Sequence, residues 1–304
     1  MSHRRLIVAT RKSALALAQC RALMQELCRL HQGLEVEELH VVTTGDRIVD
    51  RALREVGGKG LFVKEIEEAI LSGRAAAAVH SMKDVPAELA DGLELCAIPL
   101  RADPRDVVVT RDGRRLAELP PGARVGTSSL RRSVQLAAFR PDLIFVPLRG
   151  NVDTRLRKCE AGAVDAIVLA RAGLLRLGLE HRVTEVLDPE VCLPAGGQGA
   201  LAVEHASRDS ETRALFAPLS DPETAIAVSA ERGLLAAVEG NCDTPVAAYA
   251  ERVEGELWLR GLLAEPDGSN LRRREVRTPW PGNAEAAFET GRDLGVALRG
   301  GPSA

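Results

Sequence analysis

Twice in its middle third the chain sets a Gly/Ser/Thr-rich turn beside arginines at the expected mouth of a helix: Gly126-Thr127-Ser128-Ser129-Leu130-Arg131-Arg132 and Arg149-Gly150-Asn151-Val152-Asp153-Thr154-Arg155. Free backbone N–H groups at a helix start, hydroxyl donors and forked guanidinium groups together suit a carboxylate or phosphate better than a neutral ligand. For one isolated arginine the plain alternative is a solvated helix residue. Repetition weighs against that. Arg11, Lys83, Arg131, Arg132, Arg149, Arg155 and Arg176 all follow expected strands, so a sheet would gather them, and gathered cations repel unless an anion joins them. Asp84 is the one carboxylate inside this set. Alone it reads as a cap or as the partner of Lys83. Among arginines it is a candidate to accept a ligand N–H, to stabilise a cation formed in reaction, or to relay a proton.

Short apolar runs supply the strands that must carry these residues. Leu6 to Ala9 reads as a buried strand, then a basic loop, then a helix whose apolar positions Leu17, Cys20, Met24, Leu27 and Cys28 recur at helical spacing. Val36 to Val42 and Ala75 to Val79 read as strands, with a helix between them that places Phe62, Ile66, Ala69 and Ile70 on one face. The middle repeats this grammar: strands near Val107 to Val109, Arg124 to Val125, Leu143 to Val146 and Ala166 to Leu169, and helices over Leu130 to Phe139, Val152 to Ala161 and Ala172 to Leu177. Strands alternating with helices form parallel-rich sheets, which bind ligands beyond the carboxyl ends of their strands. The expected architecture is two similar α/β lobes of the periplasmic-binding-protein type flanking a cleft. The last third differs. A helix over Thr224 to Val238 ends at Glu239-Gly240. Three strands (Pro245 to Arg252, Leu257 to Leu263, Leu271 to Thr278) and a helix near Ala284 to Leu298 then make a smaller α+β domain with a three-stranded antiparallel sheet.

Bulk composition narrows the function classes. The 304 residues suffice for two or three domains, and 45% hydrophobic residues are ordinary for a globular chain. A net charge of -3 argues against wrapping nucleic acid, which needs a broad basic surface. The apolar run near the N-terminus is too short for a signal-peptide core, and nothing approaches the roughly 20 apolar residues of a membrane span. A cytoplasmic location is therefore expected. Six cysteines without a CxxC pair indicate neither a disulfide framework nor a structural zinc site.

Other conspicuous residues have plain readings. His80 reads as a strand-end histidine, since no Ser-His-Asp set can be assembled around it. The Gly57-Gly58-Lys59-Gly60 run lacks the Ser/Thr that a phosphate loop needs after its lysine, and reads as a flexible lid. The Arg272-Arg273-Arg274 run reads as a solvated strand surface. Cys242 stands apart from the other cysteines because it sits in a turn, Glu239-Gly240-Asn241-Cys242-Asp243-Thr244-Pro245.

Several strings coincide with one family. Ala9-Thr10-Arg11-Lys12-Ser13, Thr44-Gly45-Asp46, Gly58-Lys59-Gly60-Leu61-Phe62-Val63-Lys64-Glu65, His80-Ser81-Met82-Lys83-Asp84-Val85-Pro86, Asp103-Pro104-Arg105-Asp106, both arginine turns, Gly197-Gln198-Gly199-Ala200 and the Cys242 turn resemble the porphobilinogen deaminases, also called hydroxymethylbilane synthases. The resemblance spans essentially the whole chain. It implies a monomeric transferase that condenses four porphobilinogen molecules head to tail with loss of ammonia and hydrolyses the product to hydroxymethylbilane, in tetrapyrrole biosynthesis. It implies a dipyrromethane cofactor joined to Cys242 by a thioether. Asp84 matches the catalytic acid, which hydrogen-bonds pyrrole N–H groups and stabilises the azafulvenium cation. Lys83, Ser129, Arg131, Arg132 and Arg155 match residues that hold the cofactor's acetates and propionates. Arg11, Ser13, Arg149 and Arg176 match the incoming substrate's anion site, which Arg155 also borders. Phe62 would pack near the pyrrole, with the Lys59 loop as a cover.

The family fold also implies a discontinuous first domain, 1–99 with 200–218, beside a second at 105–194 and a third, carrying the cysteine, at 222–304. Two departures stand out. Asn241 precedes Cys242 where glycine is common in the family, and Asp243 adds a charge beside the attachment point; Asn tolerates left-handed backbone, so the turn is expected to survive. Gly196 replaces a common valine and is expected to loosen the link between lobes. The rival readings are a non-catalytic two-lobed binding protein for an anionic metabolite, opposed by Cys242, and a phosphate-transfer enzyme, opposed by the incomplete phosphate loop and the lack of a metal-binding acidic cluster.

Overall fold

Alternation along the first strand decides how the N-terminal sheet is covered. Leu6 and Val8 point to one side, where they bury against Cys20, Leu23 and Leu27, and Ala9 points to the other, against Ile66, Ala69 and Ile70. Apolar residues on both faces of a strand require helices on both faces of the sheet. The computed structural model describes residues 4–47, 63–238 and 244–300 and has this arrangement. Strand β1 (Arg4–Arg11) leads to α1 (Ala14–Leu30), β2 (Leu34–Val41), the single turn α2 (Thr44–Arg47), α3 (Lys64–Leu71), β3 (Ala77–Ser81) and β4 (Leu93–Ala97).

The next stretch repeats the plan. It runs β5 (Asp106–Thr110), β6 (Arg124–Gly126), α4 (Leu130–Phe139), β7 (Ile144–Val146), α5 (Val152–Glu160), β8 (Ala166–Ala170), α6 (Arg171–Arg176) and β9 (Glu185–Val186). The chain then adds β10 (Leu201–Ala206) and α7 (Ser210–Phe216) to the first sheet. The sheet orders are β2-β1-β3-β10-β4 and β7-β6-β8-β5-β9. In each, three parallel strands are followed by one antiparallel strand that arrives from elsewhere in the chain, β10 in the first and β5 in the second. By contacts the chain divides into residues 1–101 with 200–225, and 102–199 with 226–304. Three changes of unit along one chain are invisible to periodicity, and so were β4, β9 and β10.

The second unit also holds α8 (Pro222–Ala237) from Ile226 onward, then β11 (Val246–Val253), β12 (Glu256–Leu263), β13 (Arg272–Pro279) and α9 (Ala284–Leu298), the three strands forming one antiparallel sheet. The helix α8 matters because its chain continues to Cys242. It meets α9 at glycines: a Cβ on Gly291 would stand 1.8 Å from the Ala230 carbonyl oxygen, and one on Gly233 2.0 Å from that of Phe288. Both helices therefore touch backbone to backbone. Gly196, expected to loosen the link, is buried against Leu235, whose Cδ1 a Cβ there would meet at 2.7 Å. Its small size lets α8 approach closely.

In an ordinary helix interior Gly→Ala stabilises by about 0.5–1 kcal/mol. Gly291→Ala is expected to reverse that sign and cost about 1–3 kcal/mol in urea unfolding, because the helices must part. A variant as stable as the parent would contradict the close contact.

Candidate functional site

The two sets of candidate residues fall in the two units and each sits at the carboxyl ends of parallel strands. In the first unit, β1 ends at the half-buried Arg11, and Ser13 caps α1 by accepting from Ala16 N at 3.3 Å. β3 runs into a short 3-10 turn, Met82–Asp84, pinned where Met82 N donates to Ala200 O at 3.0 Å. The turn leaves Lys83 and Asp84 exposed. Asp84 caps nothing and does not pair with Lys83; its carboxylate has no hydrogen bond or ion pair among the described residues. It lines a small cavity of about 20 Å³ with Arg11, Gln19, His80 and Ser81.

In the second unit, β6 ends at Gly126, where any Cβ would lie 2.7 Å from Leu148 Cδ2, so only glycine lets the two arginine turns pass this closely. Thr127 N donates to Val146 O at 3.0 Å and Ser128 Oγ to Leu148 O at 2.9 Å, tying the first turn to the second. Ser129 occupies the cap position of α4, but its hydroxyl caps no backbone N–H. Asn151 does cap α5, accepting from Thr154 N at 3.0 Å.

Arg131 and Arg132 follow at once in the first turn of α4, where the helix dipole is positive and disfavours cations. Both are 6% exposed. The compensating group is Asp106, wholly buried at the start of β5, the antiparallel strand whose first residue lies opposite Ala170 at the end of β8. Arg131 Nη1 donates to Asp106 Oδ2 at 2.7 Å, and Arg132 donates to Oδ1 through Nη2 at 2.7 Å and Nε at 3.1 Å. Gln198 Nε2 adds a bond to Oδ1 at 2.9 Å, and the Cys192 thiol one to Oδ2 at 3.3 Å. Burial pushes the Asp106 carboxyl upward, but the two guanidinium groups outweigh it and hold it well below the usual carboxylate range. Its contribution to stability is therefore full at neutral pH and is lost only as pH falls below the range in which free carboxylates titrate. Burial raises the Cys192 thiol to about 12, which makes it inert.

Arg155 and Arg176 are placed differently. Arg155 is half-buried, donates from Nε to Gly150 O at 2.8 Å, and has no carboxylate partner among the described residues. Burial, then the charges of Arg132 and Arg149, lower it to about 10. Arg176 is likewise lowered to about 10 by burial, with Nη2 donating to Gly199 O at 2.7 Å. Cations depressed by burial, and in Arg155 by its cationic neighbours as well, form a region of positive potential that an anion would relieve.

Sequence reasoning found these arginines but missed Asp106 and Gln198, although both lie in strings that it singled out. Nothing local signals that Asp103-Pro104-Arg105-Asp106 and Gly197-Gln198-Gly199-Ala200 meet beneath the arginine turns. Arg131 and Arg132, weighed as solvated residues or anion hooks, are buried rather than solvated; Arg131 is bonded through Nη1 alone and Arg132 through Nε, Nη1 and Nη2. Lys59, Phe62, Asn241, Cys242 and Asp243 lie outside the described residues.

Fold and charges together define a discontinuous α/β protein with a basic rim at its strand ends and an appended antiparallel α+β portion. The model of the porphobilinogen deaminase dipyromethane cofactor binding domain matches residues 6–214, and that of the porphobilinogen deaminase C-terminal domain matches 225–300. The chain belongs to the porphobilinogen deaminase family. It is 62% identical over 296 residues to the porphobilinogen deaminase of Sorangium cellulosum (97% of this chain, 99% of that one). It is 52% identical over 298 residues to that of Syntrophobacter fumaroxidans (98% and 95%). Solved structures with a remote likeness include the Bordetella pertussis BvgS VFT2 domain, with TM-score 0.43 and 18% identity over 71% of this chain and 86% of that one. Another is the second substrate binding domain of a putative amino acid ABC transporter from Streptococcus pneumoniae, with TM-score 0.43 and 13% identity over 71% and 90%. Among the described residues no helix is long and apolar enough to cross a membrane.

Removing the strained cation tests the electrostatic account. Arg155→Gln is expected to leave the unfolding free energy of the cofactor-free chain within about 1 kcal/mol of the parent, or above it, because the lost hydrogen bond is offset by relief of repulsion. A loss of several kcal/mol in urea denaturation would show that Arg155 is a structural group instead.

Proposed function

We propose that the chain is a hydroxymethylbilane synthase: it joins four porphobilinogen molecules head to tail, releases ammonia at each junction, and hydrolyses the finished chain to hydroxymethylbilane. The observation that carries this is the second unit's excess of guanidinium groups, four in Arg131, Arg132, Arg149 and Arg155 around the single buried carboxylate of Asp106. A chain of pyrroles, each bearing two carboxylates, needs such an excess.

The donor set fits the dipyrromethane that names the family's cofactor-binding domain, since its acetates and propionates call for forked cationic donors. When bound, that group supplies the primer to which rings are added. Cys242 would carry it as a thioether. Lys83, Ser129, Arg131, Arg132 and Arg155 would hold its carboxylates; Arg131 bonds within the protein through Nη1 alone, which leaves its outer donors for a ligand. Arg11, Ser13, Arg149, Arg155 and Arg176 would take those of porphobilinogen, with Phe62 against its ring and the Lys59 loop as a cover.

Asp84 supplies the opposite charge. Its unpartnered carboxylate accepts pyrrole N–H groups and stabilises the positive charge that grows on the substrate as ammonia departs with the C–N electron pair. The proposal includes three domains, 1–99 with 200–218, 105–194 and 222–304; the gap between the matched family domains at 214 and 225 supports the last division. It also includes a monomer acting in the cytoplasm on a small molecule without nucleic acid, which the net charge of -3 and the separated cysteines support.

Intact mass spectrometry tests this reading. The active protein should exceed its sequence mass by one dipyrromethane, and added porphobilinogen should give a ladder of ring-sized increments. Asp84→Asn should keep the first increment yet turn over at least ~100-fold more slowly. A bare polypeptide that still consumes porphobilinogen, or near-parental turnover by the loaded variant, would refute it.

A further inference from the structure

The polar pair His80–Glu204 has no part in the reading so far. His80 Nε2 lies 3.0 Å from Glu204 Oε2, and the residues are 6% and 1% exposed. In the antiparallel register His80 stands opposite Ala202 and Glu204 opposite Ala78, so both side chains share one face of the sheet. That face is otherwise filled by Ala78, Ile66 and Ala69. Packed hydrocarbon there would be at least as stable as a buried polar pair, so the fold alone does not account for it.

Its position does. His80 lines the same cavity of about 20 Å³ as Asp84, Arg11, Gln19 and Ser81. That is room for a single water, the bridge through which Asp84 and His80 would exchange a proton. A third acid faces the pair from α3: Glu67, whose carboxyl is raised by burial and then by the charge of Glu204, with His80 acting in the opposite sense. The groups around the imidazole are thus Glu204 from β10, Glu67 from α3, Asp84 from the turn after β3, and Arg11 from the end of β1.

The chemistry requires a place for one proton per ring. Resting on the proposed function, each addition breaks the C–N bond of an aminomethyl group, forms a C–C bond, and breaks a C–H bond on the attacking pyrrole. Ammonia leaves with one electron pair, and the carbon-bound proton must be accepted before the ring regains aromaticity. Asp84 can serve the next ring only after passing that proton on. We propose that His80, backed by Glu204 and reached through the cavity, receives the proton from Asp84, holds it as an imidazolium–carboxylate pair, and gives it back through Asp84 when the next ring's amino group departs, so that the nitrogen leaves the site as ammonium. His80 is thereby a positioning residue that keeps Asp84 ionised, acting through Asp84 and not on the substrate.

The test uses the cofactor-loaded protein. Ladder formation by the parent is measured first, so failure of the function reading shows there and not in the variant. His80→Gln keeps a hydrogen bond to Glu204 but cannot titrate. It is expected to retain the loaded mass, a parental unfolding midpoint and a KM within about twofold, while kcat falls ~100-fold and its pH profile loses one limb. Parental kcat and profile would overturn the proposal, as would a kcat loss accompanied by lower stability with the profile unchanged. Histidine NMR supplies an arm that needs no His80 variant: Asp84→Asn should lower the His80 titration midpoint by about half a unit or more. An unmoved midpoint would overturn the relay.

Discussion

Asp106 is the group on which the basic site depends. Two guanidinium groups sit inside the protein at the positive end of α4, and unpaired buried charges of that kind cost several kcal/mol each. A single carboxylate shared between them, and further bonded by Gln198 and Cys192, makes the arrangement tolerable. Because that carboxylate balances only one of the two cations, the cluster keeps net positive charge. Arg149 and Arg155 add to it, and Arg155 is lowered to about 10 by burial first and then by the charges of Arg132 and Arg149. Stability and function thus draw on the same residues in opposite directions: Asp106 anchors the floor, while the charge it leaves unbalanced is what an anionic ligand meets.

Topology explains how the anchors arrive. Each five-stranded sheet receives one antiparallel strand beside its third parallel strand, β10 in the first and β5 in the second. Parallel strands present their carboxyl ends, and the turns there carry the ligand-facing groups. Each antiparallel strand brings a buried carboxylate into its sheet, Asp106 for the arginines and Glu204 for His80. The same connections make the first unit discontinuous, with the chain leaving after Arg101 and returning at Ala200.

Much of this was legible in the sequence, for local reasons. Strands such as Ala166–Ala170 and helices such as Leu130–Phe139 stand out because apolar spacing and a Ser or Asn at the cap are properties of neighbouring residues. Asp84 and the arginine turns stood out because charge at a strand end is unusual. The antiparallel direction of β5, read as a strand near Val107 to Val109, and the whole of β10 did not, since a short run of strand residues looks alike in either direction and at either edge. The partners of Arg131 and His80 were hidden for the same reason. Asp106 is 25 residues from Arg131 and Glu204 is 124 from His80, and no spacing rule links them. His80, read as an ordinary strand-end histidine, is indeed at a strand end, but its surroundings are visible only once β10 is placed.

The most direct measurement of the central claim is a double-mutant cycle in urea unfolding on Asp106→Asn, Arg132→Gln and the pair together. A shared buried charge predicts a coupling of at least about 2 kcal/mol, with the double variant more stable than the sum of the single losses would allow. A coupling below about 0.5 kcal/mol would mean that Asp106 and Arg132 merely sit side by side, and that the basic floor is held by something else.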